Sequence, residues 1–230
     1  MVSIFTRWIE LLFPETCVVC GNTLRYSEKQ LCTHCLSDIP QVYIHNKNHN
    51  PLETLLWGQI PFVSATSFML YTKKNKYASI LHTIKYKKNK DLGIFIGEMF
   101  GKELVKSGFL HNVDAIVPIP LHKKREQERG FNQSTVIAQG ISNISQIPVI
   151  DTAVMRIRYT ESQTKKNKEE RLRNVANIFE VTNYHVIQNK NILLLDDVIT
   201  TGATCISCAE TILEQGFIGT LRIASVALAT

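Results

Sequence analysis

The apolar residues of this chain come in short continuous runs separated by longer amphipathic stretches. "FVSATSFMLY" (Phe62 to Tyr71) is rich in β-branched and aromatic residues and predicts a strand. "KYASILHTIKYKKNK" and "GIFIGEMFGKELVKSG" read as helices, and "VDAIVPIP" as a buried strand stopped by prolines. A basic loop is expected next, then a helix from about Asn132, with Asn132 or Ser134 as its cap. "NILLL" predicts another buried strand, "GATCISCAETILEQG" a helix closing on Gly216, and "LRIASVALA" a last strand. Strands that are apolar throughout, separated by helices, imply an α/β fold with a mostly parallel sheet covered on both faces.

At the N-terminus, "VSIFTRWIELLF" has roughly helical spacing, is too short to span a membrane, and lacks a small-residue cleavage site. It is expected to be a short helix packed on its own domain, with docking at a membrane surface as the alternative. The polar stretch from His45 to Pro51 is the expected boundary. It divides the chain into residues 1–48, an N-terminal helix plus a cysteine-bearing segment, and residues 49–230, the α/β domain.

That segment reads "CVVCGNTLRYSEKQLCTHC". Cys17, Cys20, Cys32 and Cys35 form two CxxC knuckles, the arrangement that supplies four soft thiolates to tetrahedral zinc. Two disulfides are the alternative for a secreted protein, and the lack of a signal sequence favours zinc. Four thiolates leave no open coordination position, so the metal is expected to be structural and to supply folding energy to a segment too small for its own core. His34 lies inside the second knuckle and is expected at the surface. Cys205 and Cys208, at i and i+3 on the predicted last helix, are expected to be small buried residues packed on the sheet.

Composition changes the picture in one respect. At 44% hydrophobic and 20% charged the chain is ordinary, but its formal net charge is +6 and its lysines are bunched. "KKNK" recurs around Lys73, Lys87 and Lys165, and "HKKRE" surrounds Lys123. Any one run is commonly a solvated face; four together suggest a polyanionic partner, either a phosphorylated ligand or a nucleic acid.

The densest chemistry lies in "NILLLDDVITTGAT" (Asn191 to Thr204). Asp196 and Asp197 fall at the end of a buried strand, where open α/β sheets bind ligands. Thr200, Thr201, Gly202, Ala203 and Thr204 then lead into a helix N-terminus, offering backbone N–H groups, hydroxyls and a glycine to a phosphate. Two carboxylates beside a phosphate cradle suit a ribose 5-phosphate, with the carboxylates taking its vicinal hydroxyls or Mg²⁺ held there. Neither GxxxxGK[ST] nor GxGxxG is present, which argues against a P-loop and a dinucleotide site.

"LLLDDVITTGAT" resembles the phosphoribosyl-pyrophosphate (PRPP) loop of type I phosphoribosyltransferases. With the zinc knuckles, "VPIPLHKKREQERGFNQS", "RIRYTESQTKKNKEERLRNVANIF" and "IKY" (Ile84 to Tyr86), nearly the whole chain resembles the ComF family, competence protein F. One departure is "YTKKNK" after Tyr71, where the family commonly has a glycine. The resemblance implies a type I phosphoribosyltransferase, Rossmann-like fold. It assigns the ribose hydroxyls to Asp196 and Asp197, the 5-phosphate to Thr200–Thr204, and pyrophosphate to a loop carrying Lys123, Lys124, Arg125 and Arg129. A solvated basic turn is the alternative for those four. It also places a closing loop at Arg156 to Asn174, with Gln163, Arg171 and Asn174 matching its pattern. Lys85 is a further phosphate candidate, or a surface residue.

For function the resemblance implies a cytoplasmic protein, able to work at the inner face of the membrane, that binds PRPP with Mg²⁺ and handles incoming single-stranded DNA in natural transformation. Other competence proteins, such as the DNA-translocating helicase, would be its partners. The alternative is an active phosphoribosyltransferase acting on a nucleobase or amine acceptor in nucleotide metabolism or salvage. No residue in the sequence presents itself as an acceptor site or general base; His122 sits in the basic segment, where a lone histidine is commonly solvated.

Overall fold

The computed structural model describes residues 14–72, 74–159 and 178–229. Its centre is a parallel sheet of four strands: β1 (Ser64–Tyr71), β2 (Ala115–Pro118), β5 (Ile192–Ile199) and β6 (Leu221–Ala229), in the order β1-β6-β5-β2. Parallel neighbours need long crossovers, and helices supply them. The α-helices are α1 (Thr33–Ser37) and α2 (Pro51–Leu56), both ahead of β1, and, between strands of the sheet, α3 (Ala78–Tyr86), α4 (Lys90–Lys106), α5 (Lys123–Arg129), α6 (Gln133–Ser145) and α7 (Ala203–Leu213). The expected α/β class, with its cysteine segment at the N-terminal end, is what forms.

The period of two along β5 sends alternate residues to opposite faces. Leu193 and Leu195 join one core with Ile80 and Ile84 of α3, Phe100 of α4 and Ile137 of α6. Ile192 and Leu194 join the other with Leu52 and Leu56 of α2 and Cys205, Cys208 and Ile212 of α7. Helix α6 lies unusually close to α4. A Cβ on Gly140 would run into the carbonyl oxygen of Ile94, and one on Gly97 into that of Ile137, so hydrogen at both positions is what allows the backbones to meet.

Three segments carry more structure than the sequence predicts. The first is the basic loop after β2, which is a helix, α5. His122 caps it through Nδ1, 3.2 Å from the Lys124 amide, and Gly130 ends it in the left-handed region at φ 86°. The second is β3 (Val154–Arg156) and β4 (Phe179–Val181), a separate antiparallel ladder at the two ends of the expected closing loop. The third is the polar boundary stretch, which is stitched to β1. Val42 donates to the Phe68 carbonyl at 3.1 Å, the Asn50 amide to that of Ala65 at 2.8 Å, and His45 Nδ1 lies 2.7 Å from Thr66 Oγ1. Cys17, Leu31, Cys35 and Ile39 accordingly share a core with Phe68 and Tyr77.

Candidate functional site

The cysteine segment forms a closed metal site. The Sγ atoms of Cys17, Cys20, Cys32 and Cys35 all lie within 4.8 Å of one another. Cys20 and Cys32 are 3.7 Å apart, close to the ~3.8 Å edge of a tetrahedron with Zn–S bonds of about 2.3 Å. Cys32 caps α1, accepting from the Cys35 amide at 3.5 Å, and the Cys35 carbonyl takes the Tyr77 hydroxyl at 3.0 Å. Burial alone would push the Cys17 thiol up, but the amides of Cys20, Cys32 and Val19 bring it down to about 6, which favours the thiolate a metal needs. Four sulfurs on one centre make this a structural zinc site. His34 is exposed, as expected, with Nε2 3.5 Å from Asp38.

The two aspartates lie within β5, where β6 still pairs with it: Asp196 faces Ser225 in register, and the ladder continues to Ile199. On its other side β5 has lost its neighbour, because β2 stops at Pro118 opposite Leu195. The crevice beyond that point is where an open α/β sheet takes ligands. The two adjacent carboxylates are tolerated because each has partners of its own. Asp197 turns toward α3, where its Oδ2 meets Lys85 Nζ at 2.6 Å in a largely buried ion pair. Asp196 lines the cavity at the start of α7 and accepts from the Ser134 hydroxyl at 3.3 Å and the Asp197 amide at 2.8 Å. Burial and the Asp197 carboxylate push the Asp196 carboxyl up to about 7, against the opposing pull of Lys85 and of those two hydrogen bonds. Ser134 is held in place by Asn132, which caps α6 and donates to the Ile119 carbonyl at the end of β2 at 3.0 Å.

After β5, Thr200 and Thr201 are exposed, Gly202 is buried with φ 76°, and Ala203 opens α7. No side chain caps this helix, so its first amides face the loop with the positive end of the helix dipole behind them. Asp196, Val198 and residues 199–205 line a cavity of about 30 Å³, room for a small polar group and not for a nucleobase. Glycine is required at position 202 twice over: the backbone is left-handed, and a Cβ would stand 3.0 Å from Leu56 Cδ2. Cys205 and Cys208 are buried on α7, their thiols pushed up by burial and by Asp196. They are the small packing residues expected.

The four cations expected around pyrophosphate ride on α5, a helix with no buried residue. Arg129 Nη1 donates to Gln133 Oε1 at 2.7 Å and its guanidinium lies 5.7 Å from the Tyr86 ring centroid. Lys124 Nζ and Arg125 Cζ lie 4.9 and 5.5 Å from the Tyr159 centroid. The 310 Å³ groove beside the helix is lined by Lys123, Glu126, Gln127 and Gly130. Arg156, at the end of β3, stands within electrostatic reach of both Asp196 and Arg125. Gln163, Arg171, Asn174 and the Lys165–Lys168 run lie outside the described residues, as do the N-terminal helix and Lys73. Sequence reasoning missed Ser134 and Tyr159 as neighbours of the site, and assigned Lys85 to phosphate or the surface, where the structure pairs it with Asp197. The α5 helix was findable, for Glu126 in its first turn, Arg129 in its last and Gly130 just beyond are helix signals.

The class that emerges is a zinc-ribbon segment on a parallel α/β body with an uncapped helix N-terminus beside two carboxylates. Residues 8–46 match the family described as Double zinc ribbon domain; the segment's four cysteines make a single site. Over longer spans the chain is similar to DNA utilization protein YhgH of Escherichia coli, at 27% identity over 87% of this chain and 85% of that one. It is 44% identical to competence protein ComFC of Bacillus subtilis over 44% of this chain and 39% of that one. It is 34% identical to competence protein F of Haemophilus influenzae, over 40% of each. These relatives bear out the resemblance to the ComF family. Among solved structures it is similar to the glutamine PRPP amidotransferase from Bacillus subtilis, with a TM-score of 0.39 and 16% identity over 58% of this chain and 25% of that one. It is also similar to Leishmania donovani UMP synthase, with a TM-score of 0.33 and 14% identity over 77% of this chain and 30% of that one. The chain thus spans between a quarter and a third of those solved chains.

Proposed function

We propose that this chain is a ComF-type protein that binds PRPP and acts on incoming single-stranded DNA in natural transformation. The observation that carries the reading is the uncapped N-terminus of α7, cradled by Thr200–Thr204, directly beside Asp196 and Asp197 where the β2 pairing ends. A small oxyanion suits the cradle in size and charge, and a ribose 5-phosphate bound there would bring its vicinal hydroxyls to carboxylate acceptors. The names of the relatives, competence and DNA utilization, supply the setting.

In this reading the residues divide the work. The α7 amides and the threonine hydroxyls hold the 5-phosphate, and Asp196 and Asp197 accept from the ribose hydroxyls. Lys123, Lys124, Arg125 and Arg129 provide positive charge toward pyrophosphate. Lys85 is held by Asp197 in the free protein; ribose hydroxyls competing for that carboxylate would release its ammonium toward a phosphate. Mg²⁺ fits the donor set, since Asp197 already accommodates one positive group and a nearby cation would hold Asp196 ionised at neutral pH. Bound there with PRPP, the metal would neutralise phosphate charge. Zinc stays structural, bracing the cysteine segment against Phe68 and Tyr77 of the body.

Calorimetric titration of PRPP with Mg²⁺ into the zinc-loaded protein tests the reading, with an Asp196→Asn, Asp197→Asn double variant of unchanged circular dichroism as control. Binding by the first and not by the second is expected. A folded wild type that takes up no PRPP sinks the ligand assignment. Pyrophosphate release in the presence of nucleobases or amines would move the protein into the transferase class.

A further inference from the structure

Two basic runs that stand far apart in the sequence converge on one face. The run from Lys85 to Lys90 follows α3, and the run from His122 to Arg129 forms α5. Lys88 lies along Gly130, where a Cβ would be 3.6 Å from its Cδ. Arg129 reaches back over Tyr86, and Lys90 Nζ stands 5.5 Å from the Phe131 centroid. With Lys85 left to its Asp197 partner, seven lysines and arginines remain across the two runs against three carboxylates, Asp91, Glu126 and Glu128, in a chain whose whole formal charge is +6. Aromatic rings are set among these cations at the surface. Tyr86 is 64% exposed with His82 4.8 Å from it, and Tyr159 is 37% exposed with His122, Lys124 and Arg125 around its ring.

The geometry points to this face as the surface on which a single strand of DNA is bound. A strand presents a regular row of phosphates and a set of unpaired π-faces, and it is recognised by a positive track carrying aromatic platforms. Helix α5 has no buried residue, so its cations are open to an extended ligand. Duplex DNA keeps its bases stacked on each other and has no use for a tyrosine platform. The burial of α5 also fits, because a fully solvated polar helix contributes nothing to the core and is held here by its caps and its ring contacts. Phosphates would line up along Lys87, Lys88, Lys123 and Lys124, all of them exposed, with bases on Tyr86 and Tyr159. The inference rests on the DNA half of the proposed function and deepens it by naming the surface that holds the strand.

Fluorescence anisotropy with a labelled oligo-thymidine strand, measured across a salt series on the full zinc-loaded chain, tests it. Three forms are compared: wild type, Tyr86→Ala, and Lys87→Gln with Lys88→Gln. PRPP calorimetry on the same samples reports folding and the other site. Tyr86→Ala should weaken the strand between about fivefold and about a hundredfold and leave duplex binding unchanged. The double glutamine variant should make the log–log salt slope shallower by about 1.4, the value for two lost phosphate contacts on a single strand. If the wild type binds the strand and both variants match it, the surface is wrong while the functional reading stands. A wild type that binds no strand overturns both the surface and the DNA half of that reading.

Discussion

Asp196→Asn should stabilise the protein at pH 8 while abolishing the binding that the aspartate serves. Asp196 is buried enough, and close enough to the Asp197 carboxylate, that its carboxyl is pushed up to about 7, from about 3.9 in an unfolded chain. The native state therefore holds a proton that the unfolded state has released, over the whole interval between those values. Stability from this group is fully present below about pH 4 and is lost as the pH rises to about 7. Between pH 5.5 and pH 8 the loss corresponds to about one and a half pKa units, or about 2 kcal/mol. Asparagine keeps an oxygen for the Ser134 hydroxyl and the Asp197 amide but carries no charge. Urea unfolding of wild type and variant at both pH values, in excess zinc, isolates the effect, since every other titrating group is common to the two proteins. The difference in unfolding free energy should move by about 2 kcal/mol in the variant's favour on going from pH 5.5 to pH 8. Two parallel pH profiles, separated by a constant offset, would refute the argument.

Zinc removal with a chelator should lower the melting temperature by about 10 °C or more, because the cysteine segment shares a core with Phe68 and Tyr77 and cannot loosen alone; a melting curve unchanged by the chelator refutes that. In the zinc-loaded native protein a thiol reagent should find Cys205 and Cys208 unreactive, and both should be titrated only on unfolding. Gly140→Ala should cost about 3 kcal/mol in urea unfolding, because its Cβ meets the Ile94 backbone, which cannot move without parting α4 from α6. Gly216→Ala has open space and only a left-handed φ of 77° to contend with, so about 1 kcal/mol is expected; equal losses in the two variants would show that helix contact is not what position 140 protects.

Whatever depends on neighbours in the chain could be read without the structure. The strands of the central sheet are continuous apolar runs because both their faces are covered, and that pattern is local. Two CxxC knuckles and a threonine–glycine turn after a strand are local too, since each is a few residues whose geometry brings its own donors together. The basic loop and the missing ladder failed for an opposite reason. Helix α5 has no buried face to give it a hydrophobic period, and β3 and β4 are three residues each, too short for a pattern. The carboxylate pair was visible at once, but its resolution was not. Only the packing of α3 and α6 brings Lys85 to Asp197 and Ser134 to Asp196. The same holds for charge. Separate lysine runs are legible in the sequence, yet their union with Tyr86 and Tyr159 on one surface depends on α3 and α5 meeting across chain separations of some forty residues. Local chemistry follows from covalent sequence; which charges face each other follows from how the core closes.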